Sequence, residues 1–279
     1  MRFSKQLYIV VDGLIYTRYR LKTTMKYYIH QENERSGEQI EGRLGEINTN
    51  TYGTPMKIVA YRNWDDIDIE FLDDFHYIKE HQTYSNFKNG GVRNPYDRTV
   101  FGVGYAGVGD YLLTDVKPTK AYMIWYQLMN RCYNPKEAKN RKSYYGIVTI
   151  CPEWHNFQNF AKWYTENYYE VEGRIHVDKD ILFPDNKEYH PDKCLLVPQR
   201  INEMFRTKKN KHGLPTGIGR NGNSNRYRAR YNGKELGTFD TLEEAVAKHT
   251  EAKRKHIREV AEEYKSIIPT KVYDALMNW

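Results

Sequence analysis

Apolar and polar residues alternate with a period of two through much of residues 1–115. In MKIVAYRNWDDIDIEFLDD, residues 56–74, Ile67, Ile69 and Phe71 alternate with Asp66, Asp68 and Glu70. That pattern predicts antiparallel strands with one buried face and one solvated acidic face. NGG at 89–91 and FGVGYAGVGDY at 101–111 add tight turns, so residues 1–115 are expected to form a β-rich module, a small barrel or sandwich. GVGYAGVG lacks both a following lysine and a following helical pattern, which sets it apart from a phosphate-binding loop.

After Pro118 the period changes to that of a helix. Thr119 stands as a cap before Tyr122, Trp125, Leu128, Met129 and Cys132, and a short strand, IVTIC, follows a loop. CPEWHNFQNFAKWYTENYYE then places Trp154, Phe157, Phe160, Ala161, Tyr164 and Tyr168 on one helical face, read as core, with His155 a surface or capping residue beside it. HVDKDILFPDNKEYHPDKCLLVPQRINEMF reads as strand, long polar loop, strand, and a helix opened at Pro198. Residues 116–206 form this second block. The third, 207–279, carries NRYRARYNGKELGTFD, in which Arg226, Arg228 and Arg230 fall on every second residue with Tyr227, Ala229 and Tyr231 between them. In a strand those arginines make a ladder spaced by about 7 Å on one side. Asn232-Gly233 supplies the left-handed pair of a hairpin turn. Thr241 with Glu244 is a capping box for a helix, on which His249 and His256 are read as packing or surface residues.

Charge sharpens this division. The whole chain has a net charge of +7 and 25 tyrosines. Residues 206–258 alone hold fourteen Lys and Arg against five Asp and Glu, so the rest is close to neutral. A basic block of this kind suits a polyanionic partner, because cations that neutralise phosphates release counterions. Cys132, Cys151 and Cys194 are far apart and form no Cys-x-x-Cys pair, so neither a disulfide framework nor a zinc knuckle is signalled and a reducing, cytoplasmic setting is expected. No apolar run is long enough to span a bilayer, so no membrane partner is expected.

Two resemblances follow from these residues. GLPTGIGRNGNSNRYRARY with LGTFDTLEEAVAKH resembles the AP2/ERF-type DNA-binding domain, a three-stranded sheet backed by one helix whose sheet lies in the major groove. The resemblance implies double-stranded DNA as partner and Arg220, Arg226, Tyr227, Arg228, Arg230 and Lys234 as contacts. WYQLMNRCYNP, VTICPEW, NFQNFAKW and the strand–strand–helix order resemble phage-type HNH endonucleases with a ββα-metal finger. That implies Mg²⁺ or Mn²⁺ on Asp178 and Asn202, with phosphodiester hydrolysis as the reaction. Lys179 occupies the place of the family's histidine base. An ordinary lysine is protonated at neutral pH, so either Lys179 is strongly perturbed or His176 or His190 activates the water. The joint expectation is an α+β multidomain, homing-endonuclease-like enzyme. The alternatives are a non-catalytic DNA-binding regulator derived from an HNH protein, and a protein-binding phage inhibitor.

Overall fold

The computed structural model describes residues 7–11, 14–21, 24–30, 42–206, 213–222 and 224–279, with side chains from residue 42 onward. It is mixed α+β, built from several small sheets and short helices. Two compact units are present, one holding the described residues up to 99 with 105–108, the other holding 100–104 and 109–279. No helix among the described residues is long and apolar enough to cross a membrane.

The first unit contains an antiparallel meander of β1 (Leu7–Val11), β2 (Leu14–Leu21) and β3 (Thr24–His30). A second antiparallel sheet runs in order through β4 (Ile47–Thr49), β5 (Pro55–Asn63), β6 (Asp66–Phe71) and β7 (Ile78–Gln82). Met56, Ile58, Ile67, Ile69 and Phe71 pack under the short helix α1 (Tyr84–Lys88), as the alternation predicts. One expectation is corrected. Asp68 does not lie on a solvated face: it is 1% exposed and takes the Arg62 guanidinium, whose second partner is Asp66 at 2.8 Å. The strand pairing slips at two bulges between β5 and β6, which breaks the simple inward–outward count there.

The second unit begins with α2 (Lys120–Tyr133), capped by Thr119, whose side chain accepts from the Tyr122 amide. β8 (Thr149–Ile150) and α3 (Phe157–Asn167) follow. Trp125, Met129, Trp154, Phe157 and Phe160 form an aromatic core in which the Trp125 indole donates to the Trp154 carbonyl at 2.7 Å. β9 (Ile175–Asp178) pairs antiparallel with β11 (Leu195–Pro198), α4 (Gln199–Met204) continues from it, and β10 (Glu188–Tyr189) lies parallel to β8. Val177 and Leu196 face the aromatic core.

Leu195 and Val197 face a second core, which joins Ile201 and Phe205 to Ile257, Val260 and Ala261 of α5 (Leu242–Tyr264) and to Val272 and Leu276 of α6 (Thr270–Met277). Residues 116–206 and 207–279 therefore share a core through the second half of α5. The first half of α5 instead backs the sheet of β12 (Ile218–Arg220), β13 (Tyr227–Tyr231) and β14 (Lys234–Phe239).

Candidate functional site

The three-stranded sheet is antiparallel in the order β12-β13-β14. Its hairpin turn has Asn232 at φ 49 and Gly233 at φ 78, the left-handed pair expected from the sequence. The capping box at the start of α5 is complete, with the Thr241 hydroxyl on the Glu244 amide and the Glu244 carboxylate on the Thr241 amide. Ile218 and Ala229, opposite each other in register, are buried with Ala245 of α5 and define the inner face.

Alternation along β13 sets its neighbouring positions, with Arg226 just before the strand and a shift of the pairing with β14 between Ala229 and Arg230. Arg226, Arg228 and Arg230 lie on the outer face, and Arg228 is flanked by Gly219 on one strand and Thr238 on the other. Arg226 is held by Asp240 at 2.7 Å and by the Thr238 carbonyl at 3.2 Å, while Arg230 pairs with Glu235 at 3.5 Å. Arg228 alone of the three has no hydrogen-bond or ion-pair partner among the described residues. A Cβ built at Gly219 meets nothing within 4 Å among the described residues, and Arg228 beside it is half-buried.

The remaining sequence candidates divide differently. Arg220 and Tyr227 are register partners on the inner-face parity, with the Arg220 guanidinium 4.4 Å from the Tyr227 ring centroid. Lys234 pairs with Tyr231 at the hairpin end and is exposed. His249 and His256 pack edge-on to the Tyr231 ring, and the Tyr231 hydroxyl meets His256 Nδ1 at 2.9 Å, so both imidazoles join the sheet to the helix.

Gly217 at φ 80 is the tightest point of that junction. A Cβ there would sit 2.4 Å from the Arg230 carbonyl oxygen and 2.5 Å from the His249 ring. Left-handed backbone and overpacking together make Gly217→Ala cost about 2–4 kcal/mol. Gly219→Ala, which meets open space, is the control. Urea denaturation should separate the two variants, and equal midpoints would contradict the assigned geometry.

The strand–loop–strand–helix segment is arranged as follows. Asp178 ends β9 and is buried, its Oδ1 accepting from the amides of Asp180 and Ile181 at 2.8 Å each. Burial raises its pKa above the ordinary carboxylate value, and the two amide bonds oppose that shift. Lys179 is 6% exposed, with Nζ donating to the Asp180 carboxylate and the Asn186 carbonyl at 2.6 Å each. Its place is a strut across the loop. Asn186, which the sequence reading passed over, holds the same loop: its Nδ2 donates to the carbonyls of Lys179 (3.1 Å) and Glu188 (2.6 Å), and its Oδ1 accepts from the Glu188 amide (3.0 Å). The only signal for it in the sequence is an asparagine after Pro184-Asp185, ordinary turn chemistry.

His176 and Asp178 are register partners of Val197 and Leu195, so both lie on the strand face covered by α4, α5 and α6. His176 Nε2 is shut from solvent and has no partner among the described residues. Burial lowers the imidazole's pKa, with Arg131 and Arg174 acting in the same direction. His190 turns to its own loop, with Nδ1 accepting from the Asp192 amide at 3.2 Å. Asn202 lies half-buried on α4. Among the described residues no hydrogen bond joins Asp178 to Asn202, His176 or His190.

These donors fit a divalent cation poorly. One Asp178 oxygen is taken up by amides, and Asp178 belongs to no cluster of three anionic or imidazole donors among the described residues. Lys253 of α5 lies in the field of the Asp178 carboxylate, its Nζ 4.3 Å from the Trp279 ring centroid and 5.2 Å from that of Phe205. Burial lowers the pKa of Lys253, and the Asp178 carboxylate opposes that shift.

Asp66, Asp68 and His81 do bring three ligand atoms together in the first unit. Arg62 already fills that position, holding Asp66 down at about 2. The three cysteines are buried, and burial pushes the thiols of Cys132 and Cys194 up to about 12 and raises that of Cys151. Thiolate chemistry is thereby disfavoured.

Comparison with known proteins gives no match to any family model, curated protein or solved structure. The chemistry therefore has to be argued from this chain's own side chains.

One pH dependence follows from the half-buried imidazoles of His176 and His249. His176 and His249 are both lowered from 6.5, chiefly by burial. The unfolded chain takes up protons first as the pH falls, so their contribution to stability is whole above the unfolded value. It is lost progressively below that value, down through the folded ones. The melting temperature should be level from pH 8 to about 7 and fall between about 6.5 and 5. A melting temperature that rises over the lower interval would contradict half-buried rings that resist protonation.

Proposed function

We propose that the protein binds double-stranded DNA through the outer face of the β12-β13-β14 sheet, with Arg228 as the central contact. The observation that carries this reading is the guanidinium ladder of Arg226, Arg228 and Arg230, whose middle member is half-buried between Gly219 and Thr238 and unpaired among the described residues. A sheet of this width fits a major groove, where arginine donates in a fork to guanine or to a phosphate. The finger-like segment acts as scaffold. It shares a core with α5 and so fixes the helix on which the sheet rests. The finer architecture is an HNH-like middle segment joined to an AP2-like sheet and helix.

A second reading, metal-dependent cleavage of DNA with Mg²⁺ or Mn²⁺, is favoured by one observation: Asp178 and His176 share a face of β9 in a strand–loop–strand–helix order. Against it stand the two hydrogen bonds that hold Lys179 within its own loop. The test is supercoiled plasmid incubated with either metal, alongside a gel-shift on the same DNA. The proposal expects a shift without nicking. Nicking that disappears in a folded Asp178→Ala protein would establish the second reading in its place. Absence of any shift would remove the first.

A further inference from the structure

We infer that the turn segment Pro135 to Ile147, with Lys187 beside it, is a second contact surface for the duplex DNA backbone, separate from the sheet. The inference rests on the duplex-binding reading above. Lys136, Lys139, Arg141 and Lys142 fall within seven residues. The backbone of Lys187 lies beside the end of the segment, its carbonyl accepting from the Thr149 amide at 2.8 Å.

Negative charge in this region is already taken. Glu137, the segment's one carboxylate, pairs with Arg141 at 3.7 Å, and Glu188 next to Lys187 pairs with Lys193 at 2.5 Å. Lys136, Lys139, Lys142 and Lys187 have no carboxylate partner among the described residues. The surface is thus an excess of cations, complementary to a row of phosphates.

Its backbone is organised, which separates it from an ordinary solvated charge run. The Glu137 carbonyl accepts from the amides of Asn140 (2.9 Å) and Arg141 (2.8 Å), and the Arg141 carbonyl accepts from those of Tyr144 (2.8 Å) and Tyr145 (3.0 Å). The Tyr144 carbonyl accepts from Ile147 (2.9 Å) and Val148 (2.8 Å), closing a chain of overlapping turns. Arg131 pins this chain to the core, its guanidinium 5.3 Å from the Tyr144 ring centroid and 3.0 Å from the Tyr189 hydroxyl. A surface already ordered in this way gives up little entropy on binding. Tyr145 at 37% exposure and Ile147 at 49% stand among the cations, where a deoxyribose face would cover them.

The experiment compares the full-length chain with its Lys139→Gln/Lys142→Gln variant. A short fluorescent duplex is titrated over a range of sodium chloride concentrations, and a single strand of the same sequence is run in parallel. Removing two phosphate contacts should make the slope of log K against log salt shallower by about two and weaken binding at low salt by roughly tenfold or more. The footprint on the duplex should shorten, and thermal unfolding should stay the same. If affinity and slope match wild type while Arg228→Ala still weakens binding, this surface is no DNA contact and the sheet reading stands. A loss confined to the single strand overturns the duplex assignment. A wild-type chain that binds no duplex removes both readings together.

Discussion

Arg228→Ala is expected to weaken duplex binding by roughly tenfold to a hundredfold, about 1–3 kcal/mol, the range for one arginine contact to a base edge or phosphate. The size follows from what the neighbouring arginines already do. Arg226 and Arg230 must leave Asp240 and Glu235 to reach a phosphate, so part of what they gain is offset by exposed pairs each worth up to about 1 kcal/mol. Arg228 leaves nothing, because no carboxylate holds it among the described residues. The expected order of losses is therefore Arg228→Ala above Arg226→Ala and Arg230→Ala. Glu235→Gln should bind more tightly than wild type, since it removes a charge that repels phosphate and frees Arg230. Fluorescence anisotropy at fixed ionic strength measures all four, and equal losses for the three arginines would contradict the role given to the ion pairs.

Trp125→Ala has the largest expected effect on the fold, about 3–5 kcal/mol lost, the range for emptying a large aromatic site. The indole is fully buried, donates to the Trp154 carbonyl, and packs against Tyr122 and Phe157 with ring centroids 5.8 and 5.6 Å away. The backbone of Gly104 presses so closely that a Cβ there would lie 2.8 Å from the indole ring, so little can move in to fill the gap. Small domains have about 5–15 kcal/mol to lose. A loss of this size leaves the second unit marginal near 37 °C and should shift its urea midpoint strongly downward. A change below about 1 kcal/mol would mean that the aromatic core relaxes freely, contrary to its dense packing.

Much of the fold was legible because local chemistry decides it. The caps at Thr119 and Thr241, the Asn232-Gly233 turn and the buried row Ile67, Ile69, Phe71 each depend on residues a few positions apart. What escaped depends on distant partners. Asp68 looks solvated until Arg62 is placed beside it across a bulged pair of strands. Arg220 could not be assigned to a sheet face before the register of β12 against β13 was known. The second half of α5 shows its apolar residues, Ile257, Val260 and Ala261, but nothing in their spacing says that they meet Leu195, Val197 and Ile201. That meeting also brings Lys253 into the field of Asp178. Lys179 posed the question of the missing base. Its two hydrogen bonds within the loop give it a structural role instead.

The central claim is that the outer sheet face grips duplex DNA through Arg228. The most direct test measures association of wild type and Arg228→Ala with one duplex as sodium chloride is raised. A steep loss of wild-type affinity with salt is predicted, together with a clear loss of affinity at every salt concentration in the variant. Two superimposable curves, or wild-type binding indifferent to salt, would contradict it.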